Sequence, residues 1–300
     1  MVFPISGVEA PFWLPVIVSF LISSLTSMGG VSGAFLLLPF QISVLGFIAP
    51  GVTPTNLLFN TFAIPAGVYR YAKEKRVIWG LLLVLSVGTI LGAFIGVIIR
   101  IKYLPDPRNF KIFVGFVLCF VAYKLLKDIL SLGSKCKHQS PIDYKSDFSI
   151  SKNKINLKRV AFDFNAKHYK VSTILAVILG FFIGLVSGIY GIGGGAIMSP
   201  MLVVMFCLPV YAIAGVTLFN SFITSLVGII FYLFIGPHYS VLGQSVHPDW
   251  LLGLFLGIGG FAGIYAGSRL QKYVPAIIIK IILAVTVSFI SIKYILGLFK

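Results

Sequence analysis

The feature that most constrains this sequence is a series of long apolar segments separated by short polar stretches. The chain has only eight Asp and Glu residues, and they leave apolar runs of about 20 residues, the length that an α-helix needs to cross a bilayer. Charged residues make up 11% of the chain, against roughly a quarter in water-soluble domains. This composition excludes an ordinary soluble enzyme and predicts an all-α polytopic protein of the cell membrane, in contact with the lipid bilayer.

The excess of positive charge follows the boundaries of these apolar segments. The formal net charge is +16, but the Lys and Arg residues lie between the apolar runs and not along one face of a soluble domain. This distribution is typical of membrane-flanking residues and argues against nucleic acid as a partner.

Breaks in hydropathy divide the chain into ten apolar runs and one polar, basic stretch. The runs cover residues 12–27, 34–47, 53–71, 77–99 and 110–130, and then residues 172–187, 196–207, 215–235, 250–270 and 276–299. The first two are short, because helices of that length span roughly 20 to 24 Å of a hydrocarbon core about 30 Å thick. The predicted domains are a first membrane repeat (1–131), a basic, solvated cytoplasmic linker (132–171) and a second membrane repeat (172–300).

Residue matches between the two halves indicate an internal duplication. At an offset of 161 residues the matched pairs are Gly33 and Gly194, Pro39 and Pro200, Leu57 and Leu218, Gly67 and Gly228, and Tyr71 and Tyr232. Each half holds three long spans plus a glycine-broken pair of short helices, which cross the membrane twice or re-enter it. The number of crossings per half is odd in both cases, so the second half is predicted to be inverted relative to the first.

The positions of the basic residues predict the orientation of the chain. Four cations lie close to the segment that follows Tyr71, whereas residues 236–249 contain no Lys or Arg. Because cytoplasmic loops carry the excess of Lys and Arg, we expect the amino terminus outside and the central linker in the cytoplasm. The residues that oppose this assignment are Arg100, Lys102, Arg108 and Lys111.

Two stretches rich in glycine interrupt the apolar runs at matching positions of the two halves. They read SMGGVSGAFLLLP at residues 27–39 and SGIYGIGGGAIMSP at residues 187–200. Paired breaks favour a transporter's substrate site, because a broken helix presents free backbone N–H groups at the positive end of its dipole and holds an anion without a buried Arg. The alternative is that small residues only allow close helix packing.

Polar residues follow each break, within apolar segments where lipid offers them no hydrogen-bond partner. They are Thr53, Thr55, Asn56 and Asn60 in the first half, and Thr217, Asn220 and Ser221 in the second. They are expected to face a cavity or a neighbouring helix, and substrate contact and interhelical hydrogen bonding are equally compatible with the sequence. The glycines spaced by four, Gly88, Gly92 and Gly96 with Gly259, Gly263 and Gly267, predict close helix packing.

Signals for an enzyme are weak throughout the chain. The four His residues are scattered, the three Cys residues form no CxxC pair and are expected to be unpaired thiols, and the apolar runs contain no paired carboxylates. We therefore expect no catalytic activity, no metal and no cofactor.

The chain resembles the sulfite exporter TauE/SafE family in four motifs, GGVSGAFLLLP, YGIGGGAIMSP, GVTPTNLLFN and GVTLFNSF. It shares with that family the tryptophans that open the next span of each half, Trp79 and Trp250. The resemblance covers almost the whole chain except the central linker. It implies a permease of two homologous halves that moves sulfite, sulfonates or related sulfur anions. Ser32 and Ala34 depart from the richer glycine pattern of Gly193 and Gly195, which leaves the substrate open. Cys119 and Cys207 occupy unrelated repeat positions, so a thiosulfate relay along cysteines is not supported.

The sequence and this resemblance together predict a secondary transporter of a small anion, bound near the midplane between the two breaks. No nucleotide-binding motif is present, so the anion's own gradient or a coupling ion would supply the energy. The predicted substrate-binding residues are Gly30, Val31, Ser32, Gly33, Ala34, Thr53, Asn56, Gly191, Gly193, Gly194, Gly195, Thr217 and Asn220. The alternative is a non-transporting membrane scaffold or subunit that recruits a partner through the basic linker.

Overall fold

The computed structural model describes residues 1–28, 31–130, 150–155, 159–164, 167–208, 210–238 and 246–270, together with residues 281, 285, 288 and 292. The helices in these ranges are α1 (Trp13–Met28), α2 (Ala34–Ser43), α3 (Val52–Ala63), α4 (Pro65–Lys73), α5 (Trp79–Lys102), α6 (Pro107–Leu130), α7 (Thr173–Tyr190), α8 (Gly195–Phe206), α9 (Val210–Ile235) and α10 (Trp250–Leu270). The strands are β1 (Ile150–Ile155), β2 (Arg159–Phe164) and β3 (Lys167–Ser172). A 3-10 turn covers Gly236–His238.

Several of the helices have the length and composition of membrane spans. Within the described ranges, α5, α7, α9 and α10 are each long and apolar enough to cross a bilayer, and α1 and α2 are shorter apolar helices. These helices confirm the expected class of a polytopic, mostly helical membrane protein. The count of ten segments stays a prediction, and the run at 276–299 lies almost entirely outside the described residues.

The apolar run at residues 53–71 forms two helices instead of one long span. Helix α3 ends at Ala63 and α4 begins at Pro65, whose ring carries no N–H group and fits the first position of a helix. The amide of Val68 still donates to the Ile64 carbonyl at 3.1 Å, so the two helices follow one another with little interruption.

The glycine stripes bring helices from opposite halves of the chain into backbone contact. A Cβ atom at Gly92 would collide with the carbonyl oxygen of Phe181 in α7, and one at Gly263 would meet the backbone of Phe20 in α1. Gly88 and Gly96 contact α7 in the same way, and Gly259 and Gly267 contact α1. The predicted packing role of both stripes is confirmed. Along each pair of helices, glycines with higher residue numbers contact partners with higher residue numbers. Helix α5 therefore runs parallel to α7, and α10 runs parallel to α1.

A reciprocal contact sets the direction of the other helices. Gly67 lies against the side chain of Leu218, and a Cβ at Gly228 would be 2.9 Å from Leu57. Since Gly67 follows Leu57 while Leu218 precedes Gly228, the α3–α4 segment runs antiparallel to α9. Gly253 and Gly257 of α10 lie against Leu58 and Phe62, so α10 runs parallel to α3. Trp79 and Phe94 of α5 pack on Phe219 and Phe231, so α5 runs parallel to α9. Helices α1, α3 and α10 therefore run one way, and α5, α7 and α9 run the other way.

Part of the basic linker folds into a small antiparallel sheet. Strand β2 pairs with both β1 and β3, and the side chains of Val160, Phe162 and Phe164 alternate toward a buried face. Val171 on β3 is also fully buried. The expectation of a solvated loop is therefore wrong for residues 150–155, 159–164 and 167–171, because apolar residues at every second position give β2 a face to bury. Residues 131–149 lie outside the described ranges.

The amino-terminal residues fold over the start of α10. Asp249 is buried and caps this helix, accepting a hydrogen bond from the Leu252 amide at 3.0 Å. Its other carboxylate oxygen accepts from the Ser6 amide at 2.8 Å and the Ser6 hydroxyl at 2.7 Å. The amino terminus and the start of α10 consequently lie at the same end of the helical assembly.

Candidate substrate site at the helix breaks

The second glycine-rich break has a backbone that only glycine adopts easily. Gly191, Gly193 and Gly194 have φ values of +82°, +69° and +87°, in the left-handed region where a side chain causes strain. Helix α8 begins directly afterwards at Gly195, and no side chain caps its first turn. Helix α2 likewise starts after Gly33 without a side-chain cap. Both breaks thus end in a helix amino terminus whose first N–H groups lack helical partners, as an anion site requires.

The side chain of Asn56 holds the two breaks together. Its amide nitrogen donates to the carbonyl oxygens of Ala34 and Gly191, at 2.9 Å each. Its amide oxygen accepts from the Gln41 side chain at 3.1 Å. Asn56 is fully buried in α3, so one residue of the first half fixes the distance between the starts of α2 and α8.

Side chains from α3 and α9 also cap the carbonyl end of α7. The Tyr232 hydroxyl donates to the Gly188 carbonyl at 2.8 Å, and the Thr53 hydroxyl lies 3.4 Å from the Ile189 carbonyl. The last carbonyls of a helix have no helical donors, so these contacts satisfy groups that lipid would leave unpaired.

A group of buried polar atoms without hydrogen-bond partners lies against the second break. A Cβ atom at Gly193 would be 2.8 Å from the Asn60 amide nitrogen and 2.7 Å from the Ser225 hydroxyl. Both side chains are fully buried, and within the described residues neither the Asn60 amide atoms nor the Ser225 hydroxyl has a hydrogen-bond partner. The Ser32 hydroxyl in the first break and the Ser187 hydroxyl below Gly194 are also buried and have no partner in the described ranges. Buried polar atoms are normally paired, so these groups are candidates for contact with a polar ligand.

Two other predicted site residues form hydrogen bonds within the protein. The Asn220 amide oxygen accepts from Ser86 at 3.1 Å and Thr89 at 3.3 Å, and this links α9 to α5. The Thr217 hydroxyl donates to the Ala214 carbonyl at 3.1 Å.

The sequence pattern of the family described as "Sulfite exporter TauE/SafE" matches residues 15–294, which is almost the whole chain. The chain belongs to this family. Among curated relatives, "Probable membrane transporter protein YunE" of Bacillus subtilis (strain 168) is 23% identical over 87% of this chain and 89% of its own length. A "Probable membrane transporter protein" of Haemophilus influenzae is 32% identical over 41% and 43% of the two chains. "Probable membrane transporter protein YjnA" of Bacillus subtilis is 23% identical over 85% and 89%. No solved structure matches the chain.

In this TauE/SafE protein, the predicted site residues fall into three groups. Val31, Ser32, Gly33 and Ala34 lie in or next to the first break, and Gly191, Gly193, Gly194 and Gly195 form the second, whereas Gly30 lies outside the described residues. Thr53 and Asn56 contact the second break directly. Thr217 and Asn220 lie on α9, where Thr217 belongs to the face that contacts Gly195 and Asn220 faces α5.

Sequence reasoning missed two residues that the structure brings to this region. Ser225 continues a polar stripe with Thr217 and Ser221 at steps of four, which is one face of a helix, and this spacing was a detectable signal. From the sequence Arg100 is one of the four cations that oppose the predicted orientation, but its side chain is fully buried at the end of α5.

The two cysteines in the described ranges differ in oxidation state. Cys119 is free and exposed, whereas Cys207, directly after α8, is disulfide-bonded. The expectation of three unpaired thiols is therefore wrong at Cys207.

Proposed function

We propose that this protein is a secondary transporter of a small anion, namely sulfite, a sulfonate or another oxidised sulfur species. The observation that carries the proposal is the pair of unpartnered side chains, Asn60 and Ser225, against Gly193 at the start of α8. Membership of the TauE/SafE family and the transporter names of the curated relatives support transport over a scaffold that recruits partners. The chemistry of the site supports a small anion, and the choice of an oxidised sulfur species follows from the family description.

The energetics of the unpartnered groups favour a ligand that accepts hydrogen bonds. Each buried polar group without a partner costs about 1 to 3 kcal/mol, so several in one place oppose folding unless they serve binding. The Ser225 hydroxyl, the Asn60 amide and the uncapped amino terminus of α8 all supply donors. An oxyanion offers several acceptor oxygens and a negative charge that the positive end of the helix dipole stabilises.

The proposed binding site lies between residues 31–34 and residues 191–195. In it, Ser32 and the first backbone N–H groups of α2 contact the anion from one side, and Gly193, Ser225 and Asn60 from the other. Asn56 has both amide hydrogens engaged with backbone carbonyls, so we assign it the role of positioning the two breaks. Thr53 holds the end of α7 in the same way.

We propose further that the two halves form an inverted repeat around this site. The contact of Gly67 with Leu218 and the matching contact of Gly228 with Leu57 join equivalent residues in exchanged order, as a two-fold axis requires. Helix α1 packs on α10 as α7 packs on α5, which is the same exchange of equivalent helices. The carboxyl ends of the antiparallel helices α1 and α7 approach one another around Asn56, which supports a site near the midplane with re-entrant α2 and α8.

The proposed orientation places the amino terminus outside and the sheet of the central linker in the cytoplasm. Arg70, Lys73, Lys75 and Arg76 then lie on the cytoplasmic side with the basic linker, in agreement with the charge bias of membrane proteins. Burial of Arg100 removes one of the four charges that oppose this orientation, because a side chain enclosed by helices is no marker of the outer surface.

Anion flux into liposomes that contain the purified protein tests the proposed function. Sulfite, sulfate, sulfoacetate and thiosulfate are supplied one at a time, each with and without a pH or sodium gradient. We expect saturable uptake of at least one oxidised sulfur anion, and loss of that uptake in Asn60→Leu. Flux equal to that of empty liposomes for all four anions under every gradient would contradict the proposal.

A further inference from the structure

Arg100 is a buried cation to which the described part of the protein offers no negative charge. Its side chain is fully inaccessible, and within the described ranges neither Asp nor Glu lies within ion-pair distance of it. Asp106, the nearest acidic residue in sequence, is exposed and accepts a hydrogen bond from the Arg108 amide at 2.8 Å. An Arg side chain stays charged in proteins, so neutralisation by proton loss does not relieve this burial.

The guanidinium group is held in place on three sides. Its Nε atom donates to the Thr53 hydroxyl at 3.2 Å, and Nη1 donates to the Leu104 carbonyl. The plane lies over the Phe110 ring, with 3.7 Å between Cζ and the ring centroid. The remaining nitrogen, Nη2, is buried and has no hydrogen-bond partner in the part of the chain that the structure describes. The N–H groups of Nη2 therefore belong to a guanidinium group whose orientation is already fixed.

These contacts do not balance the charge. The carbonyl ends of α5 and α7 lie near Arg100, but each helix end carries only about half a charge, spread over several carbonyls. A cation–π contact contributes about 0.5 to 2 kcal/mol, whereas removing an ion from water costs several kcal/mol even after relaxation. A mobile anion that accepts from Nη2 would supply the missing charge and the missing hydrogen bond together.

The position of Arg100 connects it to the proposed site. Thr53, which accepts from Arg100, also contacts the carbonyl of Ile189, and its own carbonyl would be 2.7 Å from a Cβ at Gly191. Asn60 lies seven residues further along the same two-helix segment, about 10 Å at the helical rise of 1.5 Å per residue. Arg100 is therefore about two helical turns from the unpartnered groups, on the side that the proposed orientation assigns to the exterior.

We propose that Arg100 is the fixed positive charge that contacts the transported anion between the outer surface and the glycine breaks. This inference rests on the proposed function and adds a requirement to it: the substrate carries a full negative charge and presents oxygen atoms to a guanidinium group. Planar N–H donors match the oxygens of a sulfite or sulfonate group better than an ammonium group does. A neutral sulfur compound of similar size, such as dimethyl sulfone, should not bind.

Three variants test the role of Arg100, with sulfite as the probe and equilibrium binding and thermal unfolding as the readouts. Arg100→Gln removes the charge, Thr53→Val removes the hydroxyl that orients the charge, and Lys102→Gln removes an exposed cation two residues away as a control. We expect the sulfite Kd to rise at least about 10-fold in Arg100→Gln, as for a lost hydrogen bond to a charged group. Thr53→Val should raise it about 3-fold or more, and Lys102→Gln should leave it unchanged.

The outcomes separate this inference from the proposed function. If wild-type protein binds sulfite and folded Arg100→Gln binds it with the same Kd, Arg100 only balances the ends of α5 and α7, and the inference is overturned. Should Arg100→Gln fail to fold, an unchanged Kd in Thr53→Val overturns it instead, and a raised Kd with unaltered Tm supports it. If the wild-type protein binds none of sulfite, sulfate, sulfoacetate and thiosulfate, the proposed function falls and this inference with it.

Discussion

The hydroxyl of Tyr190 donates a 2.9 Å hydrogen bond to the carbonyl of Phe35, the one backbone oxygen of α2 that Pro39 leaves without its helical donor. In a helix the carbonyl of residue 35 accepts from the amide of residue 39, and proline has no amide hydrogen. The last residue of α7 therefore completes the hydrogen bonding of a helix in the other half of the chain. This contact and Asn56 together join the two glycine-rich breaks.

Tyr190→Phe should destabilise the protein without altering its overall fold. The change leaves the Phe35 carbonyl buried and unpaired, which costs about 1 to 3 kcal/mol, and it loosens the spacing of α2 and α8. We expect a lower Tm and a moderately weaker anion affinity. Tyr265→Phe is the matched control, since Tyr265 is half exposed on α10, and it should change neither quantity. Equal Tm values for the two variants would rule out the structural role of this hydrogen bond.

Asn60→Leu and Ser225→Ala should make the ligand-free protein more stable and abolish or weaken anion binding. Replacing an unpaired buried polar group by an apolar group of similar shape removes a cost of folding, and the same change removes a donor to the ligand. Thermal unfolding without ligand and equilibrium binding of sulfite measure the two effects. A decrease in Tm for both variants would indicate that these side chains have structural partners.

Asn220→Leu provides the contrast for the Asn60 variant. It is the same substitution on a helix of the same interface, but Asn220 accepts hydrogen bonds from both Ser86 and Thr89. Its removal leaves the buried Ser86 hydroxyl without its acceptor, while the Thr89 hydroxyl keeps the Ser86 carbonyl at 3.2 Å, so Tm should fall. Opposite signs of the Tm change at Asn60 and Asn220 would distinguish a ligand site from ordinary interhelical hydrogen bonding.

Gly195→Ala and Gly92→Ala should separate binding from packing. At Gly195 the backbone is helical and a new methyl group would meet the rotatable hydroxyl of Ser221, at the first turn of α8. At Gly92 the methyl group would collide with the Phe181 carbonyl and force α5 away from α7. We expect Gly195→Ala to lower anion affinity with a small change in Tm, and Gly92→Ala to lower Tm strongly. The Gly92→Ala protein that remains folded should bind sulfite with the Kd of the wild-type protein.

Gly194 is a predicted site residue, but Gly194→Val would be a poor test of anion binding. Gly194 has a φ of +87°, and a Cβ atom there would be 2.8 Å from Ile183, so any side chain strains the backbone and the packing together. The sequence indicates that glycines interrupt the helix, but φ values cannot be read from it. The choice of Gly195 over Gly194 as the position for a binding variant therefore depends on the structure.

Hydropathy and the repeat of the sequence predicted the elements that depend on local pattern, including the long helices and both glycine stripes. The stripes are recognisable because a spacing of four residues places Gly88, Gly92 and Gly96 on one helical face. What the sequence could not provide is the identity of partners across the interface, such as Asn60 with Gly193 or Arg100 with Thr53. The sheet was missed for another reason, since the alternation in β2 lies in a segment whose charge suggested a solvated loop.

The ion pairs around Glu74 should make stability depend on pH in the acidic range. Burial alone would raise the pKa of Glu74, but hydrogen bonds from Arg70 and Arg76, at 3.0 Å each, outweigh it and lower that pKa below the ordinary value of 4.5. A carboxylate with a lowered pKa stabilises the fold above pH 4.5 and loses this contribution as the pH falls through its value in the folded state. The effect is small, because the side chain is 36% exposed and solvent screens the pair.

Unfolding of the wild-type protein and Glu74→Gln between pH 7 and pH 3 measures this contribution. The difference in Tm should be constant from pH 7 to about pH 5 and should disappear at the acidic end. A difference that persists at pH 3 would show that the glutamine variant loses packing and not charge.

Single cysteines introduced at exposed positions should label from opposite sides of the membrane. Helices α1, α3 and α10 run against α5, α7 and α9, so Lys75 after α4 and His168 on β3 lie at one end of the assembly. Glu9 and His247 lie at the other end, where Asp249 binds Ser6.

With Cys119 replaced by Ala to remove the free exposed thiol, an impermeant maleimide added to intact cells should modify Glu9→Cys and His247→Cys. Lys75→Cys and His168→Cys should react only after permeabilisation. Labelling of all four from the same side would contradict both the inverted repeat and the proposed orientation.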